Sequence, residues 1–338
     1  SISQTCVMAS TIKDIAKYLN ISYATVSRAL NDRYGVNEET RKKVLEAAQE
    51  LHYFPNAAAR ELVSKKKNTI GLVFPDIENP FHSEVASNII KRAADYGYTV
   101  FLCITDWDVA RQARYIETLI ENRIEGLIIS PIAESNADID SLLGKEMPLV
   151  YVSEAQQGAD TSFVAIDNFT GAKEATIHLI NRGYEPIYYF GVPADKISND
   201  ERLAGYQAAL REFQIEPDEK WLQMGDYYQR TGYAMIKELI NRHEIPSGVF
   251  AINDQVALGV IQGVREEGLS IPEDVAVVGF DNIPMAAFPE IQLTTISQPK
   301  ADLGKTAMDV LYRLINDPMK TAPHKIFLPT KLIIRKTS

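Results

Sequence analysis

The sequence predicts an N-terminal all-α domain of helix-turn-helix type followed by an α/β core of two doubly wound parallel-sheet subdomains. Three observations predict it. Apolar stripes at helical spacing recur within the first 54 residues. From residue 69 onward, short Val-, Ile- and aromatic-rich runs alternate with helical patterns. The chain is also long enough, at 338 residues with 46% hydrophobic and 24% charged, for about two domains.

Residues 1–10 are expected to form a tail, with Met8 as the natural start and SISQTCV before it an upstream remnant. Thr11 begins the first helix, because its side chain can serve a free backbone N–H and Asp14 three residues on completes a capping-box pattern. Ile12, Ile15, Ala16 and Leu19 then fall on one helical face. Asn20-Ile21-Ser22 reads as a tight turn, with Ser22 capping a second helix from Tyr23 to Leu30. Asn37 precedes Glu38 and Glu39, which suit the positive start of a third helix carrying Val44, Ala47, Ala48 and Leu51.

The second helix would bury Val26 and Leu30 and present Tyr23, Ala24, Thr25, Ser27 and Arg28. The major groove of DNA admits one helix, and residues near its N-terminus reach base edges. Arg28 could donate two hydrogen bonds to a guanine, while Thr25 and Ser27 suit phosphates. The competing reading is an ordinary surface helix with a solvated arginine. Charge favours the first. Residues 1–68 hold 11 Lys/Arg against 7 Asp/Glu, and the remaining 24 against 38 bring the chain to −10. A basic module on an acidic body confines phosphate contact to the module.

A short helix after Pro55, within 55–68, is marginal alone in water. It reads as a segment that forms on docking, with Leu62 a wedge for a minor groove, or else as a solvated linker ending in Lys65-Lys66-Lys67.

In the body, strand-like runs are Thr69–Phe74, Tyr98–Cys103, Glu125–Ser130, Leu149–Val152, Ile187–Phe190, Gly248–Ile252 and Val275–Phe280. Helical stretches lie near 83–96, 109–122, 136–145, 170–182, 201–213, 230–242, 255–267 and 301–316. In open α/β sheets, ligands sit at the carboxyl ends of strands, where several polar clusters fall. Asp76 could take hydroxyls and Phe81 could stack on a ring, or the segment could be a Pro turn with an Asx cap. Arg202 is expected at the start of a helix, where a cation is unfavourable unless a ligand or Asp200 explains it. Asn253-Asp254 and Asp281-Asn282 offer short acceptors for hydroxyls, or caps and turns. Trp107 either lines or covers the cleft.

TIKDIAKYLNISYATVSRALN, followed by the Tyr-x-Pro-Asn-x-x-Ala-Arg-x-Leu hinge at 53–62, resembles the lactose-repressor/galactose-repressor (LacI/GalR) family of bacterial transcription regulators over residues 11–338. The resemblance implies a helix-turn-helix domain (11–54), a hinge helix and linker (55–68) and a periplasmic-binding-protein-like core (69–338). Its N-subdomain would comprise 69–166 and 299–326, its C-subdomain 167–298 and 327–338. It also implies that Tyr23, Ala24 and Arg28 read bases. Thr11, Thr25, Ser27, Asn31, Tyr53 and Asn56 would meet the DNA backbone, and Ala59 and Leu62 would enter the minor groove. Arg202, Asn253, Asp281, Phe81 and Tyr227 would contact an effector, and Ser153 and Ser198 align with contact positions in some members.

The expected function is a sequence-specific transcriptional regulator, a repressor, acting as a homodimer on a pseudo-palindromic double-stranded operator. A saccharide or sugar derivative would control it from between the subdomains. A purine or phosphoprotein corepressor is the competing partner, and an exported-type sugar-binding protein the competing class. No membrane contact, cofactor or metal is expected, and the compartment is expected to be cytoplasmic: Cys6 and Cys103 form no framework and no run suffices for a membrane span. Phosphate-binding loops, nucleophile elbows and His-Glu-x-x-His are missing, so no enzyme is expected. The chain stops at Leu332–Ser338 without an apolar heptad tail, which favours a dimer over a zipper-linked tetramer.

Overall fold

The computed structural model describes residues 10–30, 34–53, 68–132, 139, 147–155, 161–193, 197–317 and 322–338. It divides into two compact units, Ser1–Lys67 and Asn68–Ser338.

The first unit contains α1 (Ile12–Leu19), α2 (Tyr23–Leu30) and α3 (Glu38–Glu50). Local chemistry sets their ends. Asp14 Oδ2 accepts the Thr11 N–H at 2.8 Å and the Thr11 hydroxyl at 2.7 Å. Asn20 ends α1 in the left-handed conformation at φ 52°. Ser22 Oγ accepts the Thr25 N–H at 3.1 Å, and Asn37 Oδ1 accepts the Thr40 N–H at 2.8 Å. A small core of Ile15, Val26, Ala29, Val44, Ala47 and Ala48 ties the helices together, with Leu30 and Tyr53 packed at its margin.

In the second unit, β1 (Thr69–Phe74), β2 (Thr99–Ile104), β3 (Leu127–Ile129), β4 (Leu149–Ser153), β5 (Ser162–Ile166) and β11 (Lys325–Leu328) form one parallel sheet, in the order β11-β5-β4-β3-β1-β2. A second sheet has the order β12-β10-β9-β8-β6-β7. Its strands are β6 (Ile187–Gly191), β7 (Leu222–Met224), β8 (Gly248–Ala251), β9 (Ala276–Asp281), β10 (Thr294–Ser297) and β12 (Lys331–Ile333). Among the described residues only the β10–β12 pairing is antiparallel. Both sheets therefore reverse direction beside their first strand, as doubly wound folds do.

Helices cover both faces of each sheet. In the first subdomain α4 (Pro80–Asp95) and α10 (Lys300–Asn316) bury one face, and α5 (Val109–Glu121) the other. In the second, α6 (Asn168–Asn181) and α7 (Ile197–Glu212) oppose α8 (Gln229–Asn241) and α9 (Asp254–Glu266). Gly304 lets α10 press against α4, since a Cβ there would lie 2.7 Å from the Val85 carbonyl oxygen.

Three differences from the sequence reading matter. The apolar runs read from the sequence omit β5, β7, β10, β11 and β12, of which β7, β11 and β12 are partly exposed edge strands. Helix α7 begins at Ile197 rather than near 201. The third passage between sheets falls after Leu328, not near 326, because Phe327 and Leu328 still pair with β5. The expected helices at 55–68 and most of 136–145 lie outside the described residues.

Candidate functional site

Two sets of side chains stand out, one in each unit. On α2, Val26 and Ala29 are buried while Tyr23, Ala24 and Arg28 are exposed, Tyr23 at 54%. Thr25 and Ser27 are half-buried beside them, Thr11 is exposed at the cap of α1, and Tyr53 is half-buried after α3. The residues read from the sequence as base and backbone contacts thus share one small three-helix body with no role in filling its core, Tyr53 excepted. Asn31, Asn56, Ala59 and Leu62 lie outside the described residues.

The second set lines a small cavity that opens to solvent between the two subdomains. Its walls come from the carboxyl ends of both sheets, which is where the parallel-strand rule places ligands. Phe81 follows β1, Trp107 follows β2, Ser130 and Pro131 follow β3, and Ser153 and Glu154 end β4. Opposite them, Ser198 lies in the first turn of α7, Tyr227 follows β7, Asn253 follows β8, and Asp281 ends β9. Gln298, after β10, closes the hinge side.

Most of these groups are held rigidly. Arg202 is 7% exposed: its Nε donates to Asn168 Oδ1 at 2.9 Å, and its Nη1 donates to the Ile252 carbonyl at 2.5 Å. Its guanidinium carbon lies 3.7 Å from the Phe280 ring centroid. Arg202 therefore sits in the second turn of α7, not at its start, and carbonyl, amide and aromatic partners account for it without Asp200. Asn253 caps α9, accepting the Val256 N–H at 2.8 Å, and donates to the Tyr227 carbonyl at 3.1 Å. It is cap and cavity wall together.

Asp281 stands at φ 119° and Asn282 at φ 53°, a left-handed pair that turns the chain at the strand end. Asp281 Oδ1 accepts from Gln298 Nε2 at 2.5 Å. Burial raises the Asp281 carboxyl even though the charges of Arg202 and Lys300 pull it down. Neighbouring Asp254 is raised as well, first by burial and then by the charge on Asp281. Its oxygens accept the Ile283 N–H at 2.8 Å and the Thr295 hydroxyl at 2.6 Å.

Asp76 does not line the cavity. Its carboxylate accepts the Asn79 N–H at 2.9 Å and lies 3.2 Å from His82 Nδ1, so it backs His82, which does line it. Burial pushes the Asp76 carboxyl up, but the His82 and Asn79 contacts outweigh it and hold it low. Phe81 keeps both roles read from the sequence: its N–H is capped by Asn79 Oδ1 at 3.0 Å, and its ring faces the cavity. Trp107 lines the cavity and stacks on Tyr227 across it, centroids 4.9 Å apart and planes at 12°. The Ser198 hydroxyl donates across the same gap to Glu154 Oε1 at 3.0 Å. Ser153 stands at φ 78°, and its buried Oγ has no hydrogen-bond partner among the described residues.

Sequence reading did not single out His82, Ser130, Glu154 or Gln298 as contacts. Ser130 and Glu154 directly follow β3 and β4, so strand position would have flagged them, whereas His82 lies in the first turn of α4 and Gln298 follows β10, a strand the sequence did not reveal.

The family model for bacterial regulatory proteins of the lacI family matches residues 11–56, and the model for periplasmic binding proteins and the sugar-binding domain of the LacI family matches residues 67–336. The chain belongs to the LacI family. It is 33% identical over 332 residues to the HTH-type transcriptional regulator RegA of Clostridium saccharobutylicum, covering 98% of this chain and 100% of that one. Among solved structures, the Lac repressor dimer bound to operator and the anti-inducer ONPF superimposes with TM-score 0.86 at 28% identity, covering 97% of this chain and 99% of that one. A LacI family regulator from Enterococcus faecium with bound ribose gives TM-score 0.73 at 31% identity, covering 80% and 98%. The LacI family member described here is thus a DNA-binding transcriptional regulator with a periplasmic-binding-protein-like core. Among the described residues no helix is long and apolar enough to cross a membrane.

Proposed function

We propose that this regulator represses transcription as a homodimer on a pseudo-palindromic operator, and that a saccharide or sugar derivative in the cavity sets its DNA affinity. The observation that carries the effector assignment is that each wall combines an aromatic ring with short polar groups. Phe81, Trp107 and Tyr227 offer flat apolar surface to the C–H face of a sugar, while Ser153, Asn253 and Asp281 offer hydroxyl partners. The ribose bound to the Enterococcus faecium relative supports the same class.

On DNA, Tyr23, Ala24 and Arg28 read base edges, Thr11, Thr25, Ser27 and Tyr53 meet the backbone with Asn31 and Asn56, and Ala59 and Leu62 enter the minor groove. Two copies give the contact area a single module lacks. A surface groove floored by Leu258, Ile261, Met285 and Ile291, with Phe288 exposed at its edge, offers the second copy a surface.

A sugar can alter operator affinity only through its differential affinity for two closures of the cleft, with coupling of about 1–3 kcal/mol in typical cases. Thermal-shift and calorimetric titration with a saccharide panel tests the assignment. A binding sugar raises the unfolding midpoint by mass action, and Asp281→Asn removes that rise while operator affinity without sugar persists. If purines stabilise the chain and sugars do not, the corepressor reading replaces this one.

A further inference from the structure

Helix α10 belongs to the first subdomain, packing on α4 and β4, yet its first residue reaches into the second. Lys300 is 9% exposed, and its Nζ donates to the Asn282 carbonyl at 2.6 Å and to the Asp281 carbonyl at 3.2 Å. The same Nζ lies 3.4 Å from Glu84 Oε2 on α4. Glu84 Oε1 is buried and has no hydrogen-bond partner among the described residues. One ammonium therefore joins the α4–α10 pair to the left-handed turn that carries Asp281.

That turn is held from its own side as well. Asn282 Oδ1 accepts from Arg335 Nη2 at 2.8 Å, and its Nδ2 donates to Ser297 Oγ at 3.2 Å. The Asp281 carboxylate is gripped by Gln298, two residues before Lys300. The backbone at φ 119° and φ 53° is an unfavourable shape for residues with a Cβ, and it persists only while such neighbours over-determine it. Gly304, one turn along α10, locks that helix against α4, so a movement of the turn cannot be absorbed by sliding between the helices.

We propose that Lys300 is a positioning residue for allosteric coupling: its bridge from the Asp281-Asn282 carbonyls to Glu84 carries effector contact in the cavity into helix α4 of the first subdomain. The inference rests on the effector reading of the cavity. It assigns no ligand contact to Lys300, so substituting Lys300 uncouples the two sites without emptying either.

The test uses the full-length chain, a pseudo-palindromic oligonucleotide selected from a random library by the wild type, and whichever of D-ribose, D-glucose or cellobiose the wild type binds most tightly in calorimetry. Lys300→Met keeps the operator dissociation constant within about threefold of wild type and still binds sugar measurably in calorimetry, while the factor by which sugar changes operator affinity falls about tenfold. Lys300→Arg, which retains a buried cation, restores most of that factor, and Glu84→Gln reduces it in the same direction. Hydrogen exchange without sugar gives a second readout. In Lys300→Met, protection falls both at 281–283 and in the first turns of α4. Wild-type coupling in both Lys300→Met and Glu84→Gln, or loss of protection confined to α10, overturns the proposal. Should Lys300→Met fail to fold, Glu84→Gln and Lys300→Arg decide by the same criteria. If none of the three sugars binds wild type, the effector reading falls, and the exchange experiment still decides whether Lys300 links the two subdomains.

Discussion

The two candidate surfaces are built on opposite principles. On α2 the polar side chains stand outside a core of six small and medium residues, and substituting Arg28 or Tyr23 removes nothing that holds the helices together. In the cleft the polar side chains are the structure. Arg202 satisfies the Ile252 carbonyl and the Asn168 amide, Asn253 caps a helix, and Asp254 pins the Ile283 N–H and the Thr295 hydroxyl. A DNA-reading surface of the first kind can change its target by single substitutions at no cost to folding. A cleft of the second kind can feel its ligand as a change in fold energetics, which is what an allosteric site requires.

Stability measurements on single variants would break or sharpen this contrast. The largest loss is expected for Arg202→Ala, which strands two buried acceptors and removes the stack on Phe280. Each buried group left unsatisfied costs about 1–3 kcal/mol, so chemical denaturation should report a loss of about 3 kcal/mol. An unchanged denaturation midpoint would show that the buried guanidinium holds nothing. Asn253→Ala comes next at about 1–2 kcal/mol, from a lost helix cap and a lost hydrogen bond to the Tyr227 carbonyl. A loss no larger than that of an exposed cap such as Asn37→Ala would blur the contrast.

The third prediction concerns pH. Burial raises the Asp254 carboxyl in the folded state, so the folded chain binds that proton more tightly than the unfolded chain does. Its contribution to stability is complete below the ordinary carboxyl range near about 4 and is lost as pH rises through the raised value. Unfolding midpoints taken from about pH 5 to pH 8 should drift down in wild type and drift less in Asp254→Asn. Equal drift in both would remove Asp254 from the explanation. The smallest effect on folding belongs to Arg28→Ala, within about 0.5 kcal/mol. The same variant should lose about 1–3 kcal/mol of operator affinity and relax one base position.

The contrast also explains what the sequence revealed. The helix-turn-helix unit was legible almost to the residue because its ends are set by neighbours in the chain: Asp14 to Thr11, Ser22 to Thr25, Asn37 to Thr40. The two-sheet architecture was legible from its apolar runs, of which β1, β4, β6, β8 and β9 are buried along nearly their whole length. Strands β5, β10, β11 and β12 were not: their pairing depends on partners far away in the chain, as in Thr295↔Ile333 and Lys325↔Phe163.

In the cleft, Phe81, Arg202, Tyr227, Asn253 and Asp281 fall where the sequence reading put them, but the reason given for Arg202 did not hold. The segment Ile197–Asp200 carries no apolar periodicity, so the true start of α7 was hidden. Asp76 was read as a ligand contact, yet it turns to His82. Gln298 and Lys300, which flank Pro299 at the second passage between subdomains, have no local pattern to mark them. Their partners, Asp281, Asn282 and Glu84, lie on other segments of the chain.

The most direct measurement is selection of bound duplexes from a random oligonucleotide library by the purified full-length chain, followed by anisotropy titration of the recovered site with and without saccharide. The account predicts a twofold-symmetric site bound at least about 1,000-fold more tightly than random DNA, with two chains per duplex and an affinity that moves when sugar is added. Recovery of no preferred sequence, or of an asymmetric site occupied by one chain and indifferent to every sugar, would contradict it.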